Sequence, residues 1–177
     1  MEFPFSNPCI LDRLAAFGVP NWSGTEPHNG IDLIVQSGVS SARIISPVEG
    51  QVVGVRATEN SFSDPVGQLL LTIEIQINFQ WSLNLVLEPG TVDPALKAQQ
   101  EAAIVVVAGQ EVTTGDYLAD LLAGEQGYTH LHFMLMQGSQ AVCAYKYSSV
   151  HARYAYENLA QAENSYLPDG LICYGDP

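Results

Sequence analysis

The run Tyr128-Thr129-His130-Leu131-His132-Phe133-Met134-Leu135-Met136 constrains this chain more than any other stretch. It reads as a β-strand, on which side chains two apart share a face, so His130 and His132 project together while Leu131 and Phe133 turn into apolar packing. An apolar strand needs no imidazoles to pack. A pair of them is tolerated there when ligation or hydrogen bonding satisfies their nitrogens. For an isolated His-x-His the plain reading is two surface or hydrogen-bonded histidines, and other residues must shift it.

Those residues lie upstream. Glu26-Pro27-His28-Asn29-Gly30-Ile31-Asp32-Leu33-Ile34-Val35 reads as a turn feeding an apolar strand, with a histidine and an aspartate four positions apart. Gly30 between them lets the backbone bend so that His28 and Asp32 converge. His28, Asp32 and His132 together give two imidazoles and one carboxylate, the ligand count of a catalytic zinc site that keeps its fourth tetrahedral position for water. Zinc there lowers the pKa of that water and polarises a carbonyl, and His130 is placed to stabilise an oxyanion or shuttle a proton.

In chain order, the first 25 residues read as a wrapping arm rich in proline and glycine, with one or two helical turns over Ile10 to Phe17. Short strand patterns follow at 43–47, 50–55, 68–77 and 81–88, the third with clean period-two alternation. Asp93 as N-cap and Pro94 at the first helical position predict a helix over 93–103. Residues 104–108 and 109–112 return to β, 117–122 lead toward the histidine strand, and Gln137-Gly138-Ser139-Gln140 turns that strand into a hairpin with 141–145. A second short helix over 149–159 carries His151, read as an exposed surface histidine. The organisation expected is one domain over 1–177: an arm (1–25), a motif-bearing β core (26–147), and a C-terminal helix and tail (148–177).

Charge narrows the partners. Six Lys plus Arg against 19 Asp plus Glu give a formal charge of −13, which repels phosphate backbones and supplies no basic stripe, so nucleic acid is not an expected partner. No apolar run approaches the roughly 18 residues of a membrane-spanning helix, and Met1-Glu2-Phe3-Pro4 lacks the pattern of an export signal. Cys9, Cys143 and Cys173 leave two arrangements open, one bridge plus a free thiol or three buried thiols.

The motifs resemble those of a known family. His28-Asn29-Gly30-Ile31-Asp32 is similar to the His-x-Gly-x-Asp first motif, and His130-Leu131-His132-Phe133 to the second motif, of the lysostaphin/LytM-type zinc endopeptidases. Ser46-Pro47-Val48-Glu49-Gly50-Gln51-Val52-Val53 resembles that family's hairpin after the first motif. The run from Gly109 to Leu118 resembles its Gly-x-x-Val-x-x-Gly-x-x-Ile/Leu segment ahead of the second. The resemblance implies a mainly β fold of the duplicated-hybrid-motif type, an antiparallel, sandwich-like sheet with one or two short peripheral helices. It implies one zinc per chain on His28, Asp32 and His132, a catalytic His130, and a peptide or peptidoglycan substrate. It further implies a place in the bacterial cell envelope or outside the cell, with the cytoplasm as the alternative.

One departure bears on activity. Members that cut carry a further histidine on a middle strand, whereas Trp81-Ser82-Leu83-Asn84-Leu85 has none, and Asn84 is the residue expected in its place. An amide donates a hydrogen bond but transfers no proton at neutral pH. Tyr128, next to the histidine strand, is expected to line substrate with Asn84. The alternative function is therefore a weak or inactive homologue acting as a metal-binding, peptidoglycan-binding or hydrolase-activating module. A lipoyl- or biotinyl-type carrier needs a lysine at a hairpin tip, and the lysines are Lys97, in the expected helix, and Lys146, after a strand. No Gly-x-Ser-x-Gly elbow supports a serine hydrolase.

Overall fold

The computed structural model describes residues 1–20, 27–61 and 65–174, so Glu26, at the start of the turn before the first motif, and Trp22, expected in the core or a groove wall, lie outside the described residues. The strands are β1 (Leu11–Ala15), β2 (Ile31–Val35), β3 (Ser41–Ile45), β4 (Gly50–Asn60), β5 (Gln68–Gln76), β6 (Trp81–Glu88), β7 (Glu111–Val112), β8 (Tyr117–Leu122), β9 (His130–Gln137) and β10 (Gln140–Val142). Among the described residues two α-helices, α1 (Pro94–Ala102) and α2 (Val150–Ala160), stand outside them. An eight-stranded sheet runs β1-β2-β9-β6-β5-β4-β7, with β10 beside β9, and β3 pairs with β8 in a separate ribbon. Every strand pair is antiparallel, the mainly β architecture expected of the duplicated hybrid motif.

The period-two pattern sets which face is buried. Leu69, Leu71, Ile73 and Ile75 of β5, Leu83, Leu85 and Leu87 of β6, and Leu131, Phe133 and Leu135 of β9 all turn into one cluster that runs from Phe3 to Ile172. Burying each such side chain contributes roughly 1.5–3 kcal/mol, so this face holds the central strands in register. The opposite faces of β2, β9 and β6 are left for other work.

Both helices start where their caps place them. The Asp93 carboxylate accepts from the N–H groups of Ala95 and Leu96, and the Ser149 hydroxyl accepts from that of Ala152. Inside α1, buried Gln100 donates to the Asp120 carbonyl and accepts from the Leu122 N–H, tying the helix to β8.

Two expectations are corrected. Ile10 to Phe17 is not helical: a 3₁₀ turn over Pro8–Ile10 leads into β1, the sheet's edge strand. A register shift between Leu11 and Arg13 lets Leu11 and Leu14 both face the core, and this bulge reproduces the three-residue apolar spacing of a helix. Residues 104–108 do not form a strand either. Ile104 makes one isolated bridge to Ala119, and Val105 and Val107 face solvent.

The cysteines resolve to one bridge, Cys143–Cys173, and an exposed Cys9 thiol. Lys97 lies in α1 and Lys146 in a 3₁₀ turn over Ala144–Tyr147, so neither sits at a hairpin tip as a carrier requires.

Candidate metal centre

Two strands and a loop deliver the site. In the β2–β9 ladder Asp32 lies directly opposite His132, and Ile34 opposite His130, so both histidines share the face that carries the aspartate. His28 arrives from the loop before β2. Its backbone N–H donates to the Val19 carbonyl and its own carbonyl accepts from Gly18, which pins the loop to the N-terminal segment.

The donor atoms converge tightly. Asp32 Oδ1 lies 2.8 Å from His132 Nδ1 and 3.1 Å from His28 Nε2, and the two imidazole nitrogens are 3.2 Å apart. Ligands about 2.0–2.1 Å from a tetrahedral ion stand roughly 3.3 Å from one another, so the spacing suits zinc. Among the described residues, His28, Asp32 and His132 are the group of metal-binding side chains that could hold an ion.

Hydrogen bonds on the far sides of the rings fix the tautomers. His28 Nδ1 donates to the Ala16 carbonyl at 2.8 Å, and His132 Nε2 donates to Asn29 Oδ1 at 3.1 Å. Each ring then turns its remaining nitrogen toward the other ring and toward the Asp32 carboxylate. Two ring nitrogens and a carboxylate oxygen converge there, an arrangement that a shared cation, a proton or a metal ion, satisfies.

The charge balance agrees. Burial depresses the His28 pKa, but the hydrogen bond and charge of Asp32 and the Ala16 carbonyl outweigh it, and the net shift is upward. Burial raises the Asp32 pKa, yet His130, His132 and His28 hold the carboxyl well below the usual carboxylate range. The pocket therefore favours added positive charge, which a proton or a metal ion supplies.

Gly30 has a purpose other than the bend expected of it. Its φ is not in the left-handed region, but a Cβ there would meet His132 Cε1 at 2.6 Å and Nε2 at 2.7 Å. The absent side chain makes room for the His132 ring.

His130 stands beside the triad. Its Nδ1 donates to the Tyr128 carbonyl at 3.2 Å, which directs Nε2 inward, 4.0 Å from Asp32 Oδ1 and 3.4 Å from Glu88 Oε2. Burial lowers its pKa, and the charges of Asp32 and Glu88 more than reverse this. The Tyr128 ring meets the His130 ring edge-on at 5.6 Å and lies under the Arg13 guanidinium, forming one wall. His151 is exposed on α2.

Asn84 is not opposite His130. The β6–β9 register pairs Asn84 with Met134, Val86 with His132 and Glu88 with His130. Two polar residues of the site, Asn29 and Glu88, went unassigned in the sequence. Asn29 had a signal, a ring-orienting amide beside a motif histidine. Glu88 had only its place at the polar end of an alternating strand.

With this geometry in view, likeness to known proteins becomes specific. No family model matches the sequence, and no curated protein matches it. Solved structures do. A zinc-containing peptidase from Vibrio cholerae aligns with a TM-score of 0.52 at 22% identity, over 79% of this chain and 37% of that one. A point mutant of the catalytic domain of the prophage-encoded M23 protein EnpA from Enterococcus faecalis aligns at 0.51 and 18% identity, over 80% of this chain and 93% of that domain. This chain thus spans little more than a third of the Vibrio protein and nearly the whole EnpA domain. It has the M23 peptidase fold, and the fold carries a His-Asp-His group on the open face of its sheet.

Proposed function

We propose that the chain is a zinc metallopeptidase that hydrolyses a peptide of the cell-wall type. The observation that carries this reading is the convergence of His28 Nε2, Asp32 Oδ1 and His132 Nδ1, each ring held by a hydrogen bond on its other nitrogen. Zinc held there would supply a Lewis acid that polarises the scissile carbonyl and acidifies a coordinated water. The chain's own residues do the rest. His130 presents Nε2 toward the reacting face, where as an imidazolium it donates to the developing oxyanion. Tyr128 offers an aromatic wall beside it.

The Cys143–Cys173 disulfide supports work in an oxidising compartment, the cell envelope or outside the cell. The charge of −13 favours a neutral or cationic peptide over a polyanionic glycan. A second reading, metal-dependent binding without turnover, is favoured by the absence of histidine from β6.

Metal analysis combined with turnover separates these readings. One zinc per chain, and cleavage of glycine-rich or stem peptides abolished by His132→Ala, supports the peptidase. Zinc and peptide binding without cleavage supports the binding module. A chain that takes up no metal rejects both.

A further inference from the structure

We infer that Glu88 is the proton acceptor of this site. The inference rests on the peptidase reading above and names the base that the reading lacks. On β6 the side chains facing the site are Asn84, Val86 and Glu88, paired with Met134, His132 and His130 respectively. Val86 has no proton chemistry and Asn84 accepts no proton at neutral pH, so the one base that β6 brings to His130 is Glu88.

Its surroundings set it apart from a surface glutamate. The side chain is only 21% exposed, and among the described residues its ion pair is with His130, not with a lysine or arginine. The corner that follows it is rigid. The Thr129 hydroxyl donates to the Pro89 carbonyl at 2.9 Å, and the Gly124 N–H donates to the same oxygen at 2.8 Å. Gly90, at φ 71°, lets this corner pass against the Tyr128 backbone. Glu88 and His130 are thereby held from both strand ends, and neither must be recruited by a moving loop.

The step balances as hydrolysis. The attacking water gives one proton to a Glu88 oxygen while its oxygen bonds to the scissile carbonyl carbon, whose π pair moves to the carbonyl oxygen beside His130. The pair returns, the C–N bond breaks toward nitrogen, and the departing amine takes the proton from Glu88. One water is consumed and an acid and an amine are released. The acid's remaining proton passes to solvent.

Glu88→Gln and Glu88→His test this in the zinc-loaded chain. Glutamine preserves size and a hydrogen bond to His130 but takes no proton, whereas histidine is again a base. Expected for Glu88→Gln are unchanged zinc content, a fall in kcat/KM of about 10²–10⁴-fold, and binding of a peptide hydroxamate weakened about tenfold or more, since that inhibitor yields its proton on binding. Expected for Glu88→His is recovery to within about tenfold of wild type. If Glu88→Gln cleaves and binds the hydroxamate like wild type, the inference is overturned while the peptidase reading stands. If the wild type binds zinc but cleaves nothing, the hydroxamate arm decides: weaker binding by Glu88→Gln supports the role and equal binding overturns it. A wild type without zinc overturns the functional reading and this inference together.

Discussion

On one face of β9, Leu131, Phe133 and Leu135 are sealed in the core, and on the other His130, His132 and Met134 face Glu88, Val86 and Asn84 across the ladder. The first face is stabilised by area removed from water, a diffuse force that tolerates exchange of one apolar side chain for another of similar volume. The second depends on single atoms, such as Asn29 Oδ1 behind the His132 ring. Changes to the first face should therefore appear in stability, and changes to the second in metal and chemistry.

Two substitutions one residue apart break that comparison most sharply. Phe133→Ala should cost about 3–5 kcal/mol and lower Tm by about 10 °C or more, with zinc stoichiometry intact in the molecules that remain folded. His132→Ala should abolish zinc uptake and reduce turnover by about 10³-fold or more, with the metal-free Tm within about 2 °C of wild type. Calorimetry with metal analysis reads both, and a metal-free collapse of His132→Ala would merge the two faces into one.

Metal removal comes next. Chelation at zinc concentrations near 100 times Kd withdraws about 2.7 kcal/mol of linked stability, so Tm should fall by about 5–10 °C. Gly30→Ala should weaken zinc binding about tenfold or more, because its methyl group would occupy the space of the His132 ring and press on the Phe133 carbonyl; a competing indicator dye measures this.

The core side has its own titration. Burial pushes the Tyr156 phenol far above its ordinary pKa, so its folded pKa exceeds the unfolded value near 10. The neutral form is thus favoured by folding, its contribution is complete below about pH 10, and stability should decline as pH rises beyond that. Tyr156→Phe should flatten this alkaline decline in denaturant midpoints. Smallest of all, Asn84→Ala should cost less than about tenfold in kcat/KM, well below Glu88→Gln. A larger loss would give Asn84 a direct part in the chemistry.

Much of this was legible in residues. His28, Asp32 and His132 carry their chemistry in their spacing, and Asp93-Pro94 announces a helix start through a local hydrogen bond. Local pattern misled or stayed silent where structure depends on distant pairing. A bulge gave β1 a helix-like apolar spacing, and the register that sets Glu88 rather than Asn84 beside His130 joins residues 42 positions apart, 88 and 130. No local pattern encodes which of three alternate side chains on a strand meets a partner so remote.

The Cys143–Cys173 bridge reaches further than its own turn. The Ile172 carbonyl and the Tyr174 N–H bond to the backbone of Phe17, and the neighbouring Ala16 carbonyl holds the His28 ring by its Nδ1. Slack introduced at the thiols should pass along this series of bonds to His28, so the affinity for an ion held there should depend on the oxidation state of the tail. A phosphine reductant, which does not itself capture zinc as dithiols do, should loosen the metal before the sheet unfolds.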